Sequence, residues 1–241
     1  YNANMLANEM FLDSADLRSS VVSLAKTVGY TPTSATSSTA DIKAVVNNAT
    51  GTSLTMTRGT KFTTTVNSQS YTFVNNADVT IQPIDGVYTF SSVTLYEGSL
   101  LTFKYTVDTT DTEQRFMIPN DNTDTTTLTV KVQNSSSDST TAVYKKVTGI
   151  TELDGTSKKF FLQEIENQKF EVYFGDGVLG KAVADGNIVI LEYVVTNRDA
   201  ANGASTFALS GNIGGFSDVT VTTNSNASGG TGPESISSIK Y

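Results

Sequence analysis

The carboxylates and glycines are where chemistry has to be sought in this chain, because the sequence contains neither cysteine nor histidine. Without them there can be no Ser-His-Asp or Cys-His nucleophile system, no common zinc site and no disulfide framework. Glu164, Glu166, Glu171, Asp176 and Asp185 are the carboxylates that could supply the acid and base of a glycosidase. That reaction needs two carboxyl groups at a set separation in a cleft, whereas most of these residues flank turns, where carboxylates are ordinarily solvated. Gly175, Gly177 and Gly180 spell the letters of the dinucleotide fingerprint after a strand-like run. The physics of that fingerprint requires a helix opening at the third glycine, so that its N–H groups can hold a pyrophosphate. Here Gly186 and Asn187 follow almost at once and another strand-like run begins, so the three glycines are expected to be structural turn formers.

The cluster Asn120, Asp121, Asn122 and Asp124 imitates the start of a calcium loop. An EF-hand counted from Asp121 needs glycine at its sixth position and glutamate at its twelfth, but Thr126 and Val132 stand there. A solvated turn after Pro119 is the preferred reading, with an irregular calcium site involving Asp108 or Asp111 as the alternative. Three matches to the glycosylation sequon, at Asn48, Asn134 and Asn226, are what chance supplies in a chain so rich in Ser, Thr and Asn. No catalytic, cofactor-binding or metal-binding residue is therefore assigned, and a protein without enzymatic activity or cofactor is expected.

The elements that must carry these residues read as α+β, mainly β. One amphipathic helix is legible near the start, where Leu17, Val21, Leu24 and Val28 recur at helical spacing. Asp13 is its expected cap, with Asp16 as a weak capping-box partner, and Gly29 and Pro32 supply the stop. Residues 4–11 could form a separate short helix, and residues 41–47 either a strand or a helical turn. Alternating runs then predict strands at 54–57, 61–66, 71–74, 79–82, 87–95 and 100–107, with turns at Asp85-Gly86 and Glu97-Gly98. A second series is predicted at 128–133, 142–147, 159–164, 170–174 and 188–196.

The resulting organisation is a helical segment and connector over 1–50, a first small antiparallel β domain over 51–118, a second over 119–208, each sandwich or barrel-like, and an extended linker over 209–241. The linker carries one strand-like run, Val219 to Thr222, is expected to be mobile beyond Gly211, and has Pro233-Glu234 suited to the first turn of a further helix.

With 24 acidic against 16 basic residues, a phosphate backbone would be repelled overall, so nucleic-acid binding is not expected. No apolar run approaches the roughly 18 to 20 residues of a membrane-spanning helix, so membrane insertion is not expected either. The helical segment is too small to bury its own apolar face. Leu6, Met10, Phe11, Leu17 and Val21 are accordingly the candidates for contact with a partner or with the β part of the chain.

Three stretches resemble the wedge subunits of contractile-tailed, T-even-like phage baseplates, in the baseplate J-like family. They are YNANMLANEMFLDSADLRSSVVSLAKTVGYTPTS at 1–34, KFEVYFGDGVLGKAVADGNIVILEYVVTNRDAANG at 169–203 and GGTGPESISSIK at 229–240. The resemblance implies a virion protein of the tail baseplate, put together in the host bacterial cytoplasm. Its copies would associate with each other and with other wedge and hub proteins, in a ring that holds the contractile tail in its metastable state. Members of that family begin before the counterpart of Tyr1 and continue beyond that of Ile239, so the chain is expected to be the N-terminal to middle part of such a subunit. The competing reading from composition is a tail-associated adhesin or glycan-binding β module.

Overall fold

The computed structural model describes residues 9–148 and 153–240. It is mainly β, with two short helices packed at one end. The first strand, β1 (Thr39–Val46), alternates buried Ala40, Ile42, Ala44 and Val46 with outward residues, which settles residues 41–46 as strand and leaves Asn47 in the turn after it. It is followed by β2 (Leu54–Met56), β3 (Lys61–Val66), β4 (Gln69–Asn75), β5 (Val79–Ile81) and β6 (Tyr88–Glu97). Then come β7 (Ser99–Thr106), β8 (Phe116–Met117), β9 (Thr123–Gln133), β10 (Thr141–Lys146), β11 (Lys159–Glu164), β12 (Phe170–Phe174) and β13 (Ile188–Val195). The last two are β14 (Ala208–Ser210) and β15 (Val219–Ser228).

These strands form two large sheets and a small ribbon. The first sheet has the order β14-β3-β4-β6-β1-β15 and is antiparallel throughout, with the β2-β5 ribbon packed beside it. Its core is built from Ile42, Phe62, Phe73, Phe90 and Leu95, and Phe73 meets Phe207 edge to face at 5.0 Å. The chain leading into β14 hydrogen-bonds back to β15 through the N–H groups of Ala227 and Gly203, so this sheet nearly closes on itself.

The second sheet has the order β7-β13-β9-β10-β11-β12-β8. Its β10-β11 pair is parallel, a departure from the expected all-antiparallel arrangement. Tyr105 on β7 donates to the Met117 carbonyl of β8 at 2.6 Å, joining the two ends of the sheet. Inside, Tyr105, Phe116, Phe174 and Tyr144 make successive edge-to-face contacts at 5.7, 5.6 and 5.3 Å. Each such contact adds about 0.5–1.5 kcal/mol beyond the area it buries.

The division of the chain between sheets differs from the expected one in two ways. Val107, Phe116 and Ile118 belong to the second core, so the change of sheet comes at Gly98 and not near residue 118. Residues 219–228, expected in a linker, pair with β1 over its length as the edge strand of the first sheet. The first sheet is thus discontinuous in sequence, and the second is inserted between β6 and β14.

Helix α1 (Arg18–Thr27) ends as expected. Tyr30 N–H bonds to the Ala25 carbonyl and Gly29 N–H to that of Lys26, with Gly29 at φ +77°, the left-handed cap that glycine adopts without strain. Its start differs. Asp13 does not cap it; instead the Glu9 carboxylate accepts from the N–H groups of Asp16 and Leu17 at 2.9 and 3.3 Å. The short α2 (Ile236–Ile239) begins at Ser235, whose side chain accepts from Ser238 N–H, with Pro233 and Glu234 just ahead of it. The two helices bury Ala15, Val21, Val22, Ala25 and Ile239 in a cluster of their own.

Candidate functional site

Gly175, Gly177 and Gly180 form a turn between β12 and β13, and no helix follows it. Gly177 N–H bonds to the Gly180 carbonyl at 3.0 Å, and Gly180 N–H reaches the Asp154 carbonyl of a neighbouring loop at 3.0 Å. Asp176 accepts from the N–H groups of Leu179 and Val178, and these bonds hold its carboxyl below the usual carboxylate range. The turn lifts Val178 and Leu179 into solvent, 72% and 48% exposed.

The glycines are not equivalent. A Cβ on Gly175 would overlap the carbonyl oxygens of Leu179 and Gly180, whereas one on Gly177 meets nothing but must adopt φ +89°. Gly175→Ala is therefore expected to cost about 3 kcal/mol, because backbone has to move, and Gly177→Ala about 1 kcal/mol from the left-handed conformation alone. Urea midpoints of the two variants check the order, and equal losses would sink this reading of the turn.

The Asn120 to Asp124 cluster turns its oxygens to separate structural tasks. Asn120 accepts from the Tyr193 hydroxyl at 2.6 Å, and burial pushes that phenol up to about 12. Asn122 accepts from the Arg198 guanidinium, and Asp121 lies 3.7 Å from the Lys169 ammonium. Asp124, 1% exposed, accepts from Ser37 N–H at 2.8 Å and from the Thr126 N–H and hydroxyl at 2.9 and 2.6 Å.

The remaining carboxylates are similarly engaged. Glu171 is paired with Arg115 and receives the Gln163 amide. Asp185 accepts from Thr109 N–H at 3.0 Å, and Glu166 sits in the exposed turn between β11 and β12. Glu164 is 1% exposed and accepts from Nε and Nη2 of Arg18, at 2.6 and 2.9 Å. Arg18 also donates to the Glu234 carbonyl, so one side chain ties α1, the second sheet and the approach to α2 together.

Of the five candidate contact residues, Met10, Phe11 and Leu17 are 68%, 67% and 48% exposed. Val21 is fully buried in the helical cluster and cannot face a partner, because the side of α1 turned toward α2 is Val21, Val22 and Ala25. Leu6 and most of the 4–11 segment lie outside the described residues. Between α1 and the β11-β12 turn runs a groove of about 890 Å³, bordered by Leu17 and Met117 and by the cations Lys26, Arg115 and Lys169. Glu164 and Glu166 also line it, and Arg115 and Lys169 are paired with Glu171 and Asp121, so the groove is of mixed charge.

Two further features escaped sequence reasoning. At the crossing between sheets, Glu97 is fully buried and accepts from the Thr196 hydroxyl, Asn197 N–H and Asn197 side-chain amide at 2.7, 2.8 and 2.7 Å. The outgoing strand at 97 and the returning strand at 196–197 are thus pinned together. The available signal was the position of Glu97, in phase with inward Val93 and Leu95. Arg58 makes the second bridge, from the β2-β3 loop to Glu192 on β13 at 2.6 Å and to the Thr127 carbonyl on β9 at 3.0 Å. Burial pulls this guanidinium below its ordinary value, while Glu192 opposes the shift.

Fold and surfaces together describe a mainly β protein of two sheets, joined where the chain leaves the first at Glu97-Gly98 and returns to it after Thr196, with both ends of the described chain gathered in one small helical unit. In sequence the chain is 25% identical over 264 aligned residues to the baseplate wedge protein gp6 of Enterobacteria phage T4. The match takes in 98% of this chain and 39% of that protein, so the chain spans well under half the length of the curated relative it matches. No protein-family model matches the chain.

Proposed function

We propose that this chain is a structural part of a phage tail baseplate wedge. In this reading it works through contacts with copies of itself and with other wedge and hub proteins, in the ring around the hub of a contractile tail. It needs no catalysis, cofactor, nucleic acid or membrane insertion. The observation that carries the reading is a similarity to a baseplate wedge protein that runs over 98% of the chain. Supporting it are the exposed apolar side chains of Met10, Phe11 and Leu17.

An adhesin that binds host glycans is the second reading, favoured by one feature. Phe161 and Tyr173 stack at 4.9 Å with an 11° angle between rings, and Tyr173 is 43% exposed. The test is a cryo-EM reconstruction of virions that carry this chain. Density for it in repeated copies within the baseplate ring is the expected result. Density only at fibre tips, or none in the particle, would overturn the wedge reading.

A further inference from the structure

We infer that the outer face of β10 and β11 is a docking surface for an acidic segment of a partner protein, one that carries a carboxylate between two apolar side chains. This rests on the proposed function, in which the chain assembles through contacts with other proteins, and it names the chemistry of one such contact. Four lysines fall together where the two strands adjoin: Lys145 and Lys146 end β10, Lys158 precedes β11 and Lys159 opens it. The strands run parallel with Lys145 opposite Lys159 and Lys146 opposite Phe160. Tyr144 and Phe160 are buried in the second core, so by alternation Lys145 and Lys159 both project from the other face of the sheet.

That placement is unfavourable for the chain alone. Aligned residues of neighbouring strands stand about 4.8 Å apart, and like charges so placed repel. Among the described residues no carboxylate pairs with any of these four lysines, whereas Lys131, Lys169 and Lys240 each have one within 4.0 Å. A carboxylate set between the ammonium groups of Lys145 and Lys159 removes the repulsion and accepts a charge-assisted hydrogen bond from each.

Apolar side chains flank the lysine pair on both sides. Val143, two residues before Lys145, is 54% exposed. Phe161, two residues after Lys159, stacks on Tyr173 of β12 at 4.9 Å, and Tyr173 is 43% exposed. Beside the lysines the β9-β10 ladder stops at Val130 and Tyr144, and a cavity of about 380 Å³ opens there, lined by Leu128, Thr129, Lys145 and Lys146 among others. An extended segment advances about 6.6 Å in two residues, which is also the step from Val143 to Lys145 and from Lys159 to Phe161. Such a segment can lay an acidic residue on the lysines while the apolar residues two places before and after it reach Val143 and the Phe161–Tyr173 pair. A phosphate-bearing polymer would match the lysines and leave the apolar flanks bare, and a neutral sugar would use the ring pair and leave the lysines free.

Carbodiimide cross-linking of virions that carry this chain tests the match, because the reagent joins an amine to a carboxylate only where the two are in contact. The expected product, read by mass spectrometry, is an amide between Lys145 or Lys159 and an Asp or Glu of a different protein. Acylation of these lysines consumes the neutral amine, which an opposing carboxylate disfavours, so labelling should slow at least ~10-fold from the isolated chain to the particle. In the isolated chain Lys159→Thr should hold or raise the urea midpoint, since it removes the repulsion; a clear fall would make the lysine pair structural and overturn the inference. Lysines that label in the particle as fast as in the isolated chain, or that cross-link only within this chain's own sequence, overturn it too. Protection without a cross-link to any carboxylate means an occupant of other chemistry and has the same consequence. In each of these cases a baseplate position found by cryo-EM still upholds the wedge reading, whereas a chain absent from the particle removes both.

Discussion

Glu97→Ala is expected to lower the urea midpoint of the whole chain by about 1–2 M, corresponding to a loss of about 3–5 kcal/mol at the urea dependence usual for a chain of this size. The reason lies in what the substitution leaves behind. Glu97 is fully buried, and its two oxygens take three donors from Thr196 and Asn197. Alanine strands all of these donors away from water and opens a cavity between the two places where the chain passes from sheet to sheet. Glu97→Gln should cost only about 1–2 kcal/mol, because one amide oxygen can keep two donors and the Asn197 amide can turn to satisfy the third. A loss below about 1 kcal/mol for the alanine variant would mean that the crossing is held by other contacts.

The second large effect is expected at Arg18. Arg18→Ala leaves the Glu164 carboxylate, 1% exposed, without its two guanidinium bonds, and removing one partner of a buried ion pair typically costs about 3–5 kcal/mol. The damage should be local, because Arg18 joins α1 to β11 and to the Glu234 carbonyl. Amide exchange is expected to accelerate in α1 and in the segment before α2 while β1 and β13 keep their protection. The double variant Arg18→Met with Glu164→Leu should recover most of the loss, since apolar residues of similar volume remove the uncompensated charge. If the double variant is as unstable as Arg18→Ala, the ion pair is not what fastens the helical unit.

These two sites bear on the proposed role. A subunit that passes load through a ring needs its modules fixed to one another, and the crossing at residues 97–98 with its return at 196–197 is a two-strand joint with little freedom. Gly98 adopts φ +127° there, and a Cβ would overlap the Val195 carbonyl, so only glycine fits the crossing. Arg58 braces the same joint from the side through Glu192 and Thr127. Met10, Phe11 and Leu17 near α1 stay exposed apart from this joint.

Much of this was legible in the chain itself wherever the information is local. Alternation of apolar and polar residues predicted β2 to β7 and β9 to β13, because a strand with one buried face carries its side chains with a period of two. Gly29 marked the end of α1, and the spacing after Gly180 identified a turn in place of a nucleotide site, since both depend on a few neighbouring residues. Tertiary structure alone decided which sheet each strand joins. Glu97-Gly98 has the composition of a hairpin turn, and no local signal separates a chain that folds back from one that crosses into a second sheet; the contact with Val195, almost a hundred residues on, makes the difference.

Residues 219–228 read as linker because most of their side chains are polar and outward. Val219 and Val221 marked only a short strand-like run, and the rest of the strand comes from backbone bonds to β1, nearly two hundred positions earlier, which polar, outward side chains do not reveal. The same limit explains Val21 and Asp13. Helical spacing defines an apolar stripe and a set of possible caps, but which side of α1 is covered was chosen by Ile239 arriving from the far end of the chain, and the capping bonds went to Glu9, whose carboxylate happened to reach them.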